Sequence, residues 1–110
     1  MKIAITSEGK TLESKIDTRF GRCAYFIIFD TDTNAFEAVE NSNVNLTGGA
    51  GIQSGQLVIS KGVKAVITGK VGQNADTTLK SGGIEIYLAT ESTIAEVIEQ
   101  YKSNKLEKMQ

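Results

Sequence analysis

The second half of the chain most constrains its fold. There, β-branched runs alternate with helix-length segments, and glycine stands at the junctions. Val63 to Thr68 reads as a strand, Gly69 to Gly72 as a tight turn, and Gln73 to Ser81 as a short helix closed by Gly82-Gly83. Ile84 to Ala89 repeats the strand pattern. The last helix has the clearest period: Ile94, Val97, Ile98 and Tyr101 fall at i, i+3, i+4 and i+7, on one face. Thr93 and Glu96 have capping-box spacing at its start. Ahead of these lies another helical segment, Ile52 to Lys61, ended by Gly62 at the C′ position. Strand–helix–strand units cross over right-handedly between parallel neighbours, so this half builds a parallel sheet.

The first half has a different period. Lys2 to Thr6 alternates and reads as a first strand. Ser7 to Cys23 is polar without a clean period and reads as a loop, with room for a short helical turn. Tyr25-Phe26-Ile27-Ile28-Phe29 is a continuous aromatic and β-branched run, as in a strand buried on both faces. Asp30 to Asn34 is dense in turn formers, and Phe36 to Glu40 alternates again, which makes a β-hairpin. The prediction is an α/β fold with three α/β/α layers. Its mixed five-stranded sheet is parallel except for one hairpin strand. The charged tail, Ser103 to Gln110, reads as frayed. A length of 110 residues suits a single domain spanning 1–110. In open sheets of this kind, ligands bind beyond the carboxyl ends of the parallel strands. Those ends are Thr6-Ser7, Thr68-Gly69 and Ala89-Thr90.

Composition narrows the function classes. With 12 basic and 13 acidic residues the formal charge is -1, so the overall basic excess of a strong nucleic-acid binder is missing. Apolar runs fall short of the ~20 residues of a membrane span. The start, Lys2-Ile3-Ala4-Ile5, has no signal-peptide character, and a single cysteine forms no internal disulfide, so a cytoplasmic chain is expected. The sequence has no histidine, which removes the usual neutral-pH proton shuttle and the commonest metal ligand.

Three segments carry candidate chemistry. Gly48-Gly49-Ala50-Gly51-Ile52-Gln53 precedes a helix. It is neither a dinucleotide fingerprint, since Ser54 stands where the third glycine belongs, nor a Walker A loop. It reads either as a flexible connector or as a loop whose amides converge on a ligand at a helix N-terminus. Gly69-Lys70-Val71-Gly72-Gln73-Asn74 joins a strand's carboxyl end to a helix start, where the dipole favours an anion. The other reading is an ordinary turn. Arg19-Phe20-Gly21-Arg22-Cys23 combines two guanidinium groups, an aromatic expected at the surface and the only thiol. Arginines beside a cysteine favour thiolate, which suits anion binding, soft-metal ligation or redox chemistry. Alternatively Cys23 is a small core residue and the arginines pair on the surface.

Two further patterns are decoys. Asp30-x-Asp32-x-Asn34 opens like a calcium loop, but Ala35 and Asn41 stand where glycine and a bidentate glutamate belong. Asn45-Leu46-Thr47 is a glycosylation sequon without the secretory context it needs. Asp17, Asp30, Asp32, Glu37 and Asp76 raise a metal-dependent nuclease only weakly, since most sit in turns or on the hairpin.

Several segments together resemble one known family. They are Asp17-x-x-Phe20-Gly21-Arg22-Cys23-x-Tyr25-Phe26-x-Ile28-x-Asp30, then Glu40-Asn41, then Gly49-Ala50-Gly51-Ile52-Gln53, then Gly62-Val63-x-Ala65-Val66-Ile67-x-Gly69-x-Val71-Gly72-x-Asn74-Ala75. Gly83-Ile84-x-Ile86-Tyr87 and the period from Ile94 to Tyr101 complete the match. The chain thereby resembles the dinitrogenase iron-molybdenum cofactor biosynthesis domain family, of the NifX, NafY and NifB C-terminal type. The resemblance implies a ribonuclease H-like fold without nuclease activity. It also implies a role in carrying or inserting iron–sulfur–molybdenum cluster precursors.

The resulting expectation is a non-enzymatic carrier of an anionic metal–sulfur cluster or metallate. Its candidate binding set is Arg19, Phe20, Gly21, Arg22, Asn41, Gly49, Gly51, Gln53, Gly69, Gly72 and Asn74, with Cys23 as a metal ligand. A protein partner in cluster assembly is expected, and no nucleic acid or membrane. The alternative is a regulatory or assembly module that binds a protein or a phosphate-type ligand without metal.

Overall fold

The computed structural model describes residues 1–43, 45, 46 and 48–109. Residue Thr47 of the sequon, Val44 and the terminal Gln110 lie outside the described residues. The elements run β1 (Lys2–Ser7), β2 (Tyr25–Asp30), β3 (Phe36–Glu40), α1 (Ala50–Ser60), β4 (Val63–Thr68), α2 (Gln73–Ser81), β5 (Glu85–Leu88), α3 (Ile94–Lys102) and β6 (Glu107–Lys108).

The strands form one mixed sheet in the order β3-β2-β1-β4-β5-β6. Strands β1, β4 and β5 are parallel neighbours, as the crossover rule requires. Strand β2 runs antiparallel between β1 and β3. The sheet has six strands rather than the expected five, and two of them, β2 and β6, run against the parallel set. The sixth comes from the tail expected to fray. Lys108 reaches Glu85 at 2.9 Å, and the Met109 amide donates to the Ile86 carbonyl at 2.8 Å. An edge strand with open amides is a better partner for this tail than water, and hydropathy alone does not register that.

Side-chain alternation divides the core. Ile3, Ile5, Ile27, Phe29, Ala65 and Ile67 face α3, where Ile94, Val97 and Ile98 close over them. Ala4, Phe26, Ile28, Val66 and Ile86 face the other way, packed with Val58 of α1 and Ala75 and Leu79 of α2. Each fully buried isoleucine or phenylalanine contributes about 1.5–3 kcal/mol, so a one-residue register slip in β1 or β2 would be prohibitive. Strand β2 is buried on both faces, as its unbroken apolar run predicts.

Local signals place the element ends. Thr93 and Glu96 form the expected capping box, with reciprocal bonds of 2.9 and 3.2 Å. Gly62, at φ 75°, ends α1 where C′ glycine was expected. Helix α1 begins at Ala50, two residues before the apolar pattern suggests, because Gly49 takes the left-handed conformation and turns the chain there. The Asp30–Asn34 segment is the hairpin turn. The Asp32 amide donates to the Asp30 carboxylate at 2.8 Å, and Asn34 sits at φ 64°. Residues 8–23 carry no helix; isolated bridges from Ser7 to Ile16 and Lys15 to Thr93 hold this segment instead. Among the described residues, no helix is long and apolar enough to cross a membrane.

Candidate functional site

The topology gathers distant segments at one end of the sheet. Strand β1 ends beside the start of β2, and β2 starts beside the end of β3, through the register Ser7, Tyr25 and Glu40. Strand β4 is parallel to β1, so its carboxyl end and the 69–72 turn lie at the same end. The segment before β2, the start of α1 and the start of α2 therefore converge. Between them lies a cleft of about 430 Å³, lined by Gly21, Arg22, Gly49, Ala50, Gly51, Gly72, Gln73, Asn74 and Ala75.

Six of the nine lining residues are glycine or alanine. Arg22 is its one charged residue, and no carboxylate lines it among the described residues. Two helices present their N-termini to it. Gly49 caps α1 and Gly72 caps α2, and neither helix has a side-chain cap. Helix geometry leaves the first-turn amides without intrahelical acceptors, and the dipole concentrates partial positive charge there. A site of this kind favours an anion.

The glycines differ in why they are glycine. A Cβ on Gly21 would stand 3.0 Å from the Gly51 backbone, and one on Gly51 would stand 3.2 Å from Ala75 Cβ. This stack of small residues brings the three segments close enough to share one cleft. A Cβ on Gly69 would meet Thr18 Cβ at 2.7 Å, so Gly69 packs beneath the site and does not line it. Gly72 is the contrasting case. Its backbone is ordinary, at φ -73° and ψ 165°, and a Cβ there would meet nothing within 4 Å. Gly72 lines the cleft, and a side chain there would meet open space.

Besides Gly69, five candidate residues lie outside the lining. Phe20 is buried in the core at 1% exposure and stacks on Phe26 with ring centroids 5.6 Å apart, so it is no surface aromatic. Arg19 points its guanidinium at Asp17, with Nη2 to Oδ2 and Nε to Oδ1 both 3.2 Å. Asn41 is buried beneath the cleft, and Gln53 is exposed outside the lining. Cys23 is fully buried in the apolar core. Burial, with the nearby Asp17 charge, pushes its thiol up from 9.0 to about 12. The expectation that the arginines favour thiolate is thereby reversed: Arg19 is turned to Asp17, and desolvation dominates. Arg22 remains at the cleft, where its Nη1 donates to the Leu46 carbonyl and ties the 21–23 segment to the chain leading into α1.

Sequence reasoning named Gly21, Arg22, Gly49, Gly51, Gly72 and Asn74 for this site, and all six line the cleft. It passed over Ala50, Gln73 and Ala75, which also line the cleft. It also passed over Ser54, which is buried one turn into α1 and donates to the Gly21 carbonyl at 3.1 Å. The signal for Ser54 was a lone polar side chain on the inward face of α1, beside Ala50, Gly55 and Val58. The acidic residues do not assemble. Asp30, Asp32 and Glu37 lie on the hairpin at the opposite end, and Asp76 pairs with Lys80 at 3.3 Å. Among the described residues, no group of three or more His, Cys, Asp or Glu is placed to hold a metal ion.

A sequence model described as dinitrogenase iron-molybdenum cofactor matches residues 1–104. The chain belongs to this dinitrogenase iron-molybdenum cofactor family. An uncharacterized protein of Methanocaldococcus jannaschii is 32% identical over 113 residues, covering all of this chain and 92% of that relative. The apo form of the orange protein from Desulfovibrio gigas superposes with a TM-score of 0.95 at 33% identity, over 98% of this chain and 92% of the other. A putative NifB protein from Thermotoga has a TM-score of 0.88 at 39% identity, over 97% and 91%. The match over residues 1–104 includes every segment that lines the cleft.

Proposed function

We propose that this chain is a non-enzymatic carrier that holds an anionic metal–sulfur cluster or metallate in the cleft between α1 and α2. One observation carries the reading: two helix N-termini without side-chain caps face a single cleft that Arg22 lines and no described carboxylate enters. Family membership supplies the class of cargo. The chemistry agrees with it. Sulfide edges accept hydrogen bonds from amides and guanidinium, and such charge-assisted bonds are the stronger ones. The described residues provide no ligand cage for a bare ion, so the cargo brings its own sulfide ligands. Cys23 is given no ligand role in this reading, because its thiol is buried in the core and does not line the cleft. A protein partner then donates or receives the cluster.

The test is anaerobic titration with tetrathiomolybdate, the simplest thiomolybdate anion, followed optically, with inorganic phosphate as competitor. Saturable binding that weakens in Arg22→Ala and persists in Cys23→Ala is expected. Absence of binding, or equal binding by Arg22→Ala, would sink the reading. Tight phosphate binding with none for the thiometallate would point to a phosphate-type ligand.

A further inference from the structure

A buried polar cluster that does not itself line the cleft holds one of the residues that does, Gly21. Asn41 is 1% exposed and Ser54 fully buried. The Asn41 side-chain amide donates to two carbonyls of the segment before β2, Gly21 at 3.2 Å and Cys23 at 2.9 Å. Its Oδ1 accepts the Asn43 amide at 3.1 Å and lies 3.4 Å from Ser54 Oγ. Ser54 Oγ donates to the same Gly21 carbonyl at 3.1 Å. Three segments therefore meet on one carbonyl: the exit of β3, the 21–23 segment and the first turns of α1. An apolar contact would exclude water here, but it would not orient a peptide plane. Two donors converging on one carbonyl do.

We infer that Asn41 and Ser54 are positioning residues for the cleft. They pin the Gly21 carbonyl inward and so fix the Gly21–Arg22 peptide plane against the N-terminus of α1. Among the described residues no peptide bond is cis, so fixing that plane fixes where the Arg22 side chain leaves the backbone. The 3.0 Å approach of a Gly21 Cβ position to Gly51 sets the spacing, and the hydrogen bonds set the orientation. Asparagine suits this post better than aspartate. A carboxylate would turn a second acceptor toward two carbonyl oxygens and place negative charge under an anion site. The inference rests on the proposed carrier reading and adds the residues that hold its geometry.

Ser54→Ala is the mild variant. The Gly21 carbonyl keeps Asn41, and Asn41 Oδ1 keeps the Asn43 amide, so no acceptor loses its last donor. The experiment combines anaerobic tetrathiomolybdate titration with amide hydrogen exchange across residues 20–24. Ser54→Ala is expected to remain folded, to bind about five- to tenfold more weakly, and to exchange faster at 21–24. Asn41→Asp is expected to bind weakly at neutral pH and to recover as pH falls and the new carboxyl gains a proton. The wild type should not show that pH profile. Wild-type affinity in Ser54→Ala, or weakened affinity without faster exchange, overturns the positioning role and leaves the carrier reading standing. Failure of the wild type to bind the probe overturns both. If Asn41→Asp does not fold, Ser54→Ala decides alone.

Discussion

Gly69 and Gly72 sit three residues apart in one turn and should respond oppositely to the same methyl group. In Gly69→Ala the new Cβ falls 2.7 Å from Thr18 Cβ and 2.9 Å from Thr18 Cα. Carbon atoms prefer about 3.5–4.0 Å, so the two segments must part by close to 1 Å. Neither side gives easily. The neighbouring Asp17 amide donates to the Thr6 carbonyl at 2.9 Å, and the Phe20 amide donates to the Lys70 carbonyl at 3.2 Å. Overpacking of this kind costs about 1–3 kcal/mol, and replacing glycine returns roughly 0.4–1 kcal/mol by restricting the unfolded chain. A net loss of about 1–2 kcal/mol lowers Tm by roughly 5–10 °C for a domain of this size. In Gly72→Ala the methyl meets nothing within 4 Å. Alanine is a slightly poorer N-cap than glycine, and the unfolded-state gain offsets that, so stability should stay within about 0.5 kcal/mol. Thermal denaturation by circular dichroism reads both variants. Equal destabilisation, or a stable Gly69→Ala, would refute the division between a packed glycine and one that faces open space.

Gly72→Asp separates stability from binding. Gly72 already has N-cap geometry, so a carboxylate there caps α2 and raises Tm slightly, while it repels an anionic probe and should abolish tetrathiomolybdate binding. Arg22→Ala should weaken that binding about tenfold in optical titration and flatten its salt dependence. Cys23 links pH to stability. Its folded pKa, about 12, lies above its value of 9.0 outside the fold, so its contribution is complete below pH 9 and is lost as pH rises toward 12. Wild-type Tm should therefore fall more steeply than that of Cys23→Ala between pH 8.5 and 10.5, and native Cys23 should resist alkylation until the protein unfolds. Removing residues 106–110 strips β6 from β5 and should lower Tm by several degrees in the same assay.

Much of the architecture was legible in the sequence because it follows from local chemistry. Period-2 and period-3.6 patterns separated strands from helices, the Thr93–Glu96 box and Gly62 marked helix ends, and the crossover rule made β1, β4 and β5 parallel. The glycine loops were visible too, as was their place at the carboxyl end of the sheet. Tertiary structure decided what each residue there is for. Glycine looks the same in sequence whether it admits a neighbour, as Gly21, Gly51 and Gly69 do, or leaves a space, as Gly72 does. Arg19 and Arg22 look equivalent in sequence, yet buried Asp17 binds one guanidinium, while Arg22 lines the cleft and donates to the Leu46 carbonyl. In sequence Cys23 reads either as a reactive thiol beside two arginines or as a small core residue, and the fold buries it in the core, which holds its proton. Hydrogen-bond partners, desolvation and close approach depend on residues far apart in the chain, and only folding brings those together.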